Sequence, residues 1–139
     1  MPVSFSDLQL AFEFVSSGAM GENEAYLDRQ SGKIYWHSEF GENGEELPDD
    51  IDNEKYIAIP DRRELDLGKP LVLDFAREFL RDDYDEVRHI FSRRGAYRRY
   101  KDLLVRRGAL ERWYDFSNKA EEAALREWCA ENGIDLSGT

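Results

Sequence analysis

His37 and His89 are the only imidazoles in the chain, and Cys129 is its only thiol. General-base or single-metal chemistry would need one of them beside carboxylates. His37 has Asp28 and Glu39 near it in the sequence, so a carboxylate–histidine site around His37 is the enzymatic arrangement these residues offer. A lone strand histidine among solvated acids is also the ordinary background of an acidic chain. No catalytic residue, no metal and no cofactor is therefore assigned. His89, between Arg88 and Ile90, reads as a helix-surface residue. Gly68-Lys69 is followed by Pro70 and lacks the upstream glycine of a phosphate-binding loop, and no G-x-S-x-G, H-E-x-x-H or G-x-G-x-x-G string occurs. Asp49-Asp50-Ile51-Asp52-Asn53-Glu54 has neither the turn glycine nor the bidentate glutamate of a calcium loop, and offers at most a weak cation contact. Among 30 carboxylates, acid pairs arise by chance and nominate no dyad. Cys129, beside Trp128 late in a helical pattern, is expected to be a buried, inert thiol.

The cations say more. Residues 1–60 hold 13 acids and 3 bases, whereas residues 88–107 hold 8 bases against Asp102 alone. That inversion lies inside a chain of net charge −11. It coincides with a short repeat, in which Arg93-Arg94-Gly95-Ala96-Tyr97-Arg98-Arg99-Tyr100-Lys101-Asp102 aligns with Arg106-Arg107-Gly108-Ala109-Leu110-Glu111-Arg112-Trp113-Tyr114-Asp115. Two copies at so short a period cannot build a stacked array. Each copy reads as a helix end, a glycine turn and a new helix start. Arg93 and Arg94 would then suit a helix C-terminus whose N-terminus carries Asp82, Asp83, Asp85 and Glu86, with Asp85–Arg88 and Glu86–His89 as i,i+3 pairs. Arg98 and Arg99 would stand in a first helical turn, where the helix dipole disfavours cations. A negative group should compensate them: most simply carboxylates of the acidic first half, otherwise a partner protein or a phosphate backbone.

These residues need elements to position them. Ser6 with Gln9 reads as a capping box and Phe5 with Leu10 as a hydrophobic staple. Leu8, Ala11, Phe12 and Val15 then predict a helix over 6–16, stopped by Ser16-Ser17-Gly18. Residues 24–28 and 33–37 predict a hairpin closed by Arg29-Gln30-Ser31-Gly32. Alternation puts Leu27, Ile34 and Trp36 on one face and Tyr26, Tyr35 and His37 on the other, where they would form an aromatic platform able to stack bases or a covered surface. An acidic loop at about 40–54 precedes a third strand, Tyr56-Ile57-Ala58-Ile59, closed by Pro60. Pro70 opens a helix lined by Leu71, Val72, Phe75 and Phe79. Tyr84, Val87, Ile90 and Phe91 mark a short helix ending at Gly95, and Tyr97, Tyr100, Leu103 and Leu104 another ending near Gly108. The last, over 109–132, carries Leu110, Trp113, Tyr114, Ala120, Ala124, Leu125 and Trp128, with Trp113 and Trp128 expected in the core. Asn132-Gly133-Ile134 is its C-cap.

The fold class expected is α+β: an N-terminal helix, a three-stranded antiparallel sheet and about four C-terminal helices packed on it, as one domain over 1–139. With 139 residues, 41% hydrophobic content and many aromatics, the chain has the makings of a core despite 35% charged residues. A single cysteine excludes an internal disulfide and multi-cysteine metal sites. No apolar run approaches the length of about 20 residues that crosses a bilayer, and the start lacks a signal-peptide pattern. A soluble cytoplasmic protein with no membrane partner is expected.

Glu22-Asn23-Glu24-Ala25-Tyr26-Leu27-Asp28 and Gly32-Lys33-Ile34-Tyr35-Trp36 resemble the N-terminal signature of a bacterial uncharacterised protein family, number one-five-eight of the UPF series. Glu46-Leu47-Pro48-Asp49-Asp50-Ile51-Asp52, Tyr56-Ile57-Ala58-Ile59-Pro60, Asp82-Asp83-Tyr84-Asp85, Arg93-Arg94-Gly95-Ala96-Tyr97, Lys101-Asp102-Leu103-Leu104 and Glu127-Trp128-Cys129-Ala130-Glu131-Asn132-Gly133-Ile134 are similar to it as well. The resemblance implies a bacterial, cytosolic, single-domain protein and brings no activity, substrate or site residue. The residues themselves point first to a non-enzymatic protein-binding or adaptor module. Contact with nucleic acid through the Arg-rich 88–107 segment is the alternative, and an enzyme site near His37 the second. The candidate binding residues are Arg93, Arg94, Arg98, Arg99, Lys101, Arg106, Arg107, Tyr26, Tyr35 and His37.

Overall fold

Ser4, not Ser6, starts the first helix. In the computed structural model, which describes residues 2–18, 21–38 and 47–137, Ser4 has extended backbone and its Oγ accepts from the Asp7 N–H at 3.4 Å. Asp7 also places a negative charge in the first turn, where the dipole favours it. Helix α1 therefore runs Phe5–Ser16. Phe5 lies inside it, buried beneath the Arg126 guanidinium at 4.5 Å, and Leu10 is 57% exposed, so the expected staple does not form. Leu8, Ala11, Phe12 and Val15 are buried as their spacing predicts. Ser17 closes the helix, its N–H and Oγ both donating to the Phe14 carbonyl.

Strands β2 (Asn23–Asp28), β3 (Ile34–Ser38) and β4 (Tyr56–Ala58) form an antiparallel sheet of order β3-β2-β4. The hairpin turn needs a left-handed residue, and Gly32 supplies it at φ 78°. Asp28 ties that turn by accepting from the Gln30 and Ser31 N–H groups. In register, Leu27 faces Ile34 and Ile57, and Ala25 faces Trp36. This apolar face is covered by α1, with the Phe14 and Trp36 rings 4.9 Å apart. Glu24, Tyr26, Tyr35, His37 and Tyr56 lie on the opposite face. Of the acidic 40–54 stretch, the portion through residue 46 lies outside the described residues. From Leu47 onward the chain turns tightly, with Ile51 donating to Pro48 and Asn53 to Asp50.

One pairing carried no sequence signal. Strand β1 (Val3–Ser4) lies parallel to β5 (Leu136–Ser137), bringing the two ends of the chain together. Two-residue strands have no periodicity to read.

Four helices complete the α+β fold: α2 (Lys69–Phe79), α3 (Tyr84–Ile90), α4 (Ala96–Arg106) and α5 (Leu110–Glu131). Short 3-10 turns, Arg62–Leu65 and Arg81–Asp83, precede α2 and α3. Gly133 takes the left-handed cap after α5, and the Ile134 N–H returns to the Cys129 carbonyl at 2.8 Å, as the Asn-Gly-Ile sequence predicts.

The chain divides into two compact units, one of residues up to Leu65 with those from Leu125 onward, the other Asp66–Ala124. No composition shift marks the boundary, because α5 contributes to both. The second unit has its own core, in which Phe75, Tyr100 and Trp113 meet edge to face. Cys129 is buried, and burial pushes its thiol pKa up, as expected of an inert cysteine. The stripe expected on α5 needs correction. Tyr114 is exposed and Trp128 only half-buried, whereas the buried line is Trp113, Glu121, Leu125 and Cys129. Residues four apart stay on one helix face, and this line recurs at multiples of four.

The packing and the turn aspartates each bear on stability. The Tyr100 hydroxyl is buried without a hydrogen-bond partner, and burial raises its pKa. Tyr100→Phe should therefore stabilise the protein by about 1 kcal/mol in urea unfolding, since an unsatisfied buried hydroxyl is removed and the ring contacts remain. A loss of stability would show that the hydroxyl is satisfied. Three aspartates have carboxyl pKa values below the usual range. Hydrogen bonds from Arg63 hold Asp61 down, those from Arg107 hold Asp83 down, and Asp28 is lowered by the turn N–H groups against the opposing effect of burial. Depressed folded-state values add stability that is present above the unfolded aspartate pKa and lost as pH falls through the folded values. Urea midpoints should hold near neutrality and drop below about pH 4, and Asp83→Asn should flatten that acid limb.

Candidate functional site: an arginine corner on one helix

Gly95 stands at φ 74°, in the left-handed region open to glycine, with nothing near the position a Cβ would take. It separates α3 from α4, so Arg98 and Arg99 do occupy the first turn of a new helix. No acidic residue shares that turn. Helix α3 ends at Ile90 with Arg88 and His89 in its last turn. Arg93 and Arg94 fall beyond it, in the connecting turn, so the dipole of α3 does not account for them. Arg93, Arg94, Arg98 and Arg99 are all exposed, and among the described residues none of them has a carboxylate within ion-pair distance.

The second copy of the repeat behaves differently. Arg107 forms a bidentate pair with Asp83, both bonds at 2.9 Å, and Arg106 approaches Glu86 at 3.8 Å. The cation beside Glu86 is thus Arg106, where the i,i+3 reading expected His89. Asp83 is the well-sheltered member, and its fixed fork with Arg107 joins the start of α3 to the end of α4. Gly108 repeats the left-handed turn at φ 65°, and α5 then carries Glu111 in its first turn. Arg98 aligns with Glu111, so the first copy carries a cation where the second carries the anion that a helix start favours. The equivalent aromatics Tyr100 and Trp113 pack on each other at 5.1 Å, and Lys101 lies over its own counterpart, Tyr114, at 5.9 Å.

With Tyr100, Leu103 and Leu104 turned inward, α4 presents Tyr97, Lys101 and Val105 one turn apart on its exposed side. Tyr97 was expected among the apolar anchors; it is 46% exposed, its ring resting edge-on against Phe91. Val105 and Tyr114 were not among the candidates. The available signal was Val105 two turns after Tyr97.

Tyr26, Tyr35 and His37 share one sheet face, as alternation predicts, but they belong to the first unit and the arginines to the second. The two tyrosines are engaged locally. Burial, then the charge and hydrogen bond of Glu24, raises the Tyr26 pKa. Lys33 lies over the Tyr35 ring at 4.5 Å, and Tyr35 meets Tyr56 edge-on at 6.0 Å. The carboxylate–histidine pairing does not form with Asp28. His37 is opposite Glu24, while Asp28 sits at the turn end of β2 with its Oδ1 accepting backbone N–H groups. Glu39 lies outside the described residues. Among the described residues, no three of His, Cys, Asp and Glu converge as a metal-ligand set, and no helix is long and apolar enough to cross a membrane.

No protein-family model, curated protein or solved structure matches the chain.

A cation at the third position of α4 costs stability that a glutamate would not. Arg98→Glu should raise the unfolding free energy by about 0.3–1 kcal/mol, measured by thermal or urea unfolding. A decrease would mean that Arg98 has a structural partner.

Proposed function

We propose that this chain is a non-enzymatic, cytoplasmic binding module that uses the Arg93–Arg94–Arg98–Arg99 corner to dock an acidic segment of a partner protein. The observation that carries this reading is the pair of arginines in the first turn of α4, a turn with no acidic residue of its own; Asp102 one turn on is not within ion-pair distance of either. Their companions Arg106 and Arg107 are engaged by Glu86 and Asp83, whereas among the described residues no ion pair engages these four, which leaves them open to an external charge. Lys101 borders them on the same helix. Guanidinium groups suit this task because each presents a planar fork of donors to a carboxylate.

A protein segment is favoured over nucleic acid by the charge of the whole chain. At −11 it repels a long polyanion whose field extends beyond the corner. A short acidic segment brings only the few charges that four arginines can meet. The reading rests on the arginines alone; within the sheet, local contacts engage Tyr26 and Tyr35.

Fluorescence anisotropy with a labelled glutamate-rich peptide tests the reading against a single-stranded oligonucleotide of equal charge. The peptide should bind, more weakly as salt rises, and Arg98→Glu/Arg99→Glu should reduce affinity about tenfold or more. Tighter binding of the oligonucleotide, with the same loss in the double variant, would replace the protein partner by a nucleic acid. Absence of binding by both probes at low salt would overturn the proposal.

A further inference from the structure

Resting on that reading, we infer that the partner segment is an acidic amphipathic helix lying along α4, with its apolar side on a strip formed by Tyr97, Val105 and Tyr114. Monomeric proteins scatter exposed apolar side chains singly; here three are grouped around one lysine, Lys101. Tyr97, Lys101 and Val105 recur at intervals of one turn, and Tyr114 of α5 sits beside the middle of the row, under the Lys101 ammonium. Val105 is 63% exposed, Tyr97 46% and Tyr114 43%. Val105 is a β-branched residue on a solvent face where helix propensity would favour a longer polar one. Tyrosine and arginine are also the residue types that most often dominate interface energies.

Charge complementarity selects the occupant. The strip adjoins the corner, since Arg98 stands three residues before Lys101 and seven before Val105 and so shares their exposed side of α4. A neutral apolar segment would leave those guanidiniums desolvated and unpaired, and a purely acidic coil would leave the strip in water. A helix with carboxylates on its margin and apolar residues at i, i+4 and i+7 meets both. The row from Tyr97 to Val105 spans roughly 12 Å at 1.5 Å per residue, close to the roughly 10.5 Å that such a pattern covers.

Two labelled peptides of identical glutamate and leucine content separate this inference from the broader one. In the first, leucines recur at i, i+4 and i+7; in the second they are dispersed around the helix. The patterned peptide should bind the full chain about tenfold more tightly. Val105→Ser/Tyr114→Ser should reduce it to the level of the dispersed peptide while leaving the latter unchanged. Arg98→Glu/Arg99→Glu should weaken both. Equal affinity of the two peptides, or no effect of the serine pair on the patterned one, overturns the helical partner and leaves the acidic-segment reading standing. If neither binds, both readings fall. Sedimentation showing a dimer of the chain that the serine pair abolishes would assign the strip to a second copy, and overturns the inference equally.

Discussion

Tyr100 is held edge-on against Trp113 and Phe91 in a core with no polar partner for its hydroxyl, and this contact sets the rotation of α4. Once Tyr100, Leu103 and Leu104 face inward, the remaining positions of an eleven-residue helix have no freedom. Arg98, Lys101, Asp102 and Val105 must face water. The arginine corner and the apolar strip are thus two consequences of one packing decision. An orphaned hydroxyl inside that core is the penalty of placing tyrosine there, moderated by edge-to-face neighbours within its own unit.

The duplicated Arg-Arg-Gly-Ala motif gives an internal comparison. Both copies use a left-handed glycine to turn from one helix into the next, and both bury an aromatic one turn on. Beyond the turn the two copies diverge. Glu111 in the second copy suits the positive end of a helix; Arg98 in the first opposes it. The arginine pairs differ in the same way. Asp83 reaches Arg107 because the 3-10 turn Arg81–Asp83 sets its carboxylate against the end of α4, whereas among the described residues no acid is set within ion-pair distance of Arg93 or Arg94. The two copies share the turn, while their charges are divided between structure and surface.

The first unit reaches its stability by other means. α1 covers one sheet face, the chain ends pair through β1 and β5, and aspartates serve the turns: Asp28 at the hairpin and Asp61 on the Arg63 fork. Its tyrosine face is occupied by lysines over rings and by a carboxylate on Tyr26. These groups satisfy one another, which leaves His37 without the Asp28 carboxylate that chemistry at its imidazole would have used.

Local physics decided the class of the fold, the limits of most of its helices to within a few residues, the hairpin and its glycine, the C-cap at Asn132-Gly133-Ile134, and the start of a new helix after Gly95. Each depends on neighbours in the chain: periodicity, caps and backbone conformations that few residues adopt. The end of α3 was misplaced, since it stops at Ile90 and leaves Arg93 and Arg94 in the turn. Burial and partnership required the tertiary structure. Leu10, Tyr97 and Tyr114 read as anchors yet lie exposed, because a helical stripe fixes which residues share a face and not how far its margin is covered. The parallel pairing of the two ends was silent, since two residues hold no period. Which arginines face solvent without a carboxylate was decided only when Asp83 and Glu86 came within reach of Arg107 and Arg106, since an ion pair between residues far apart in sequence exists through the fold alone.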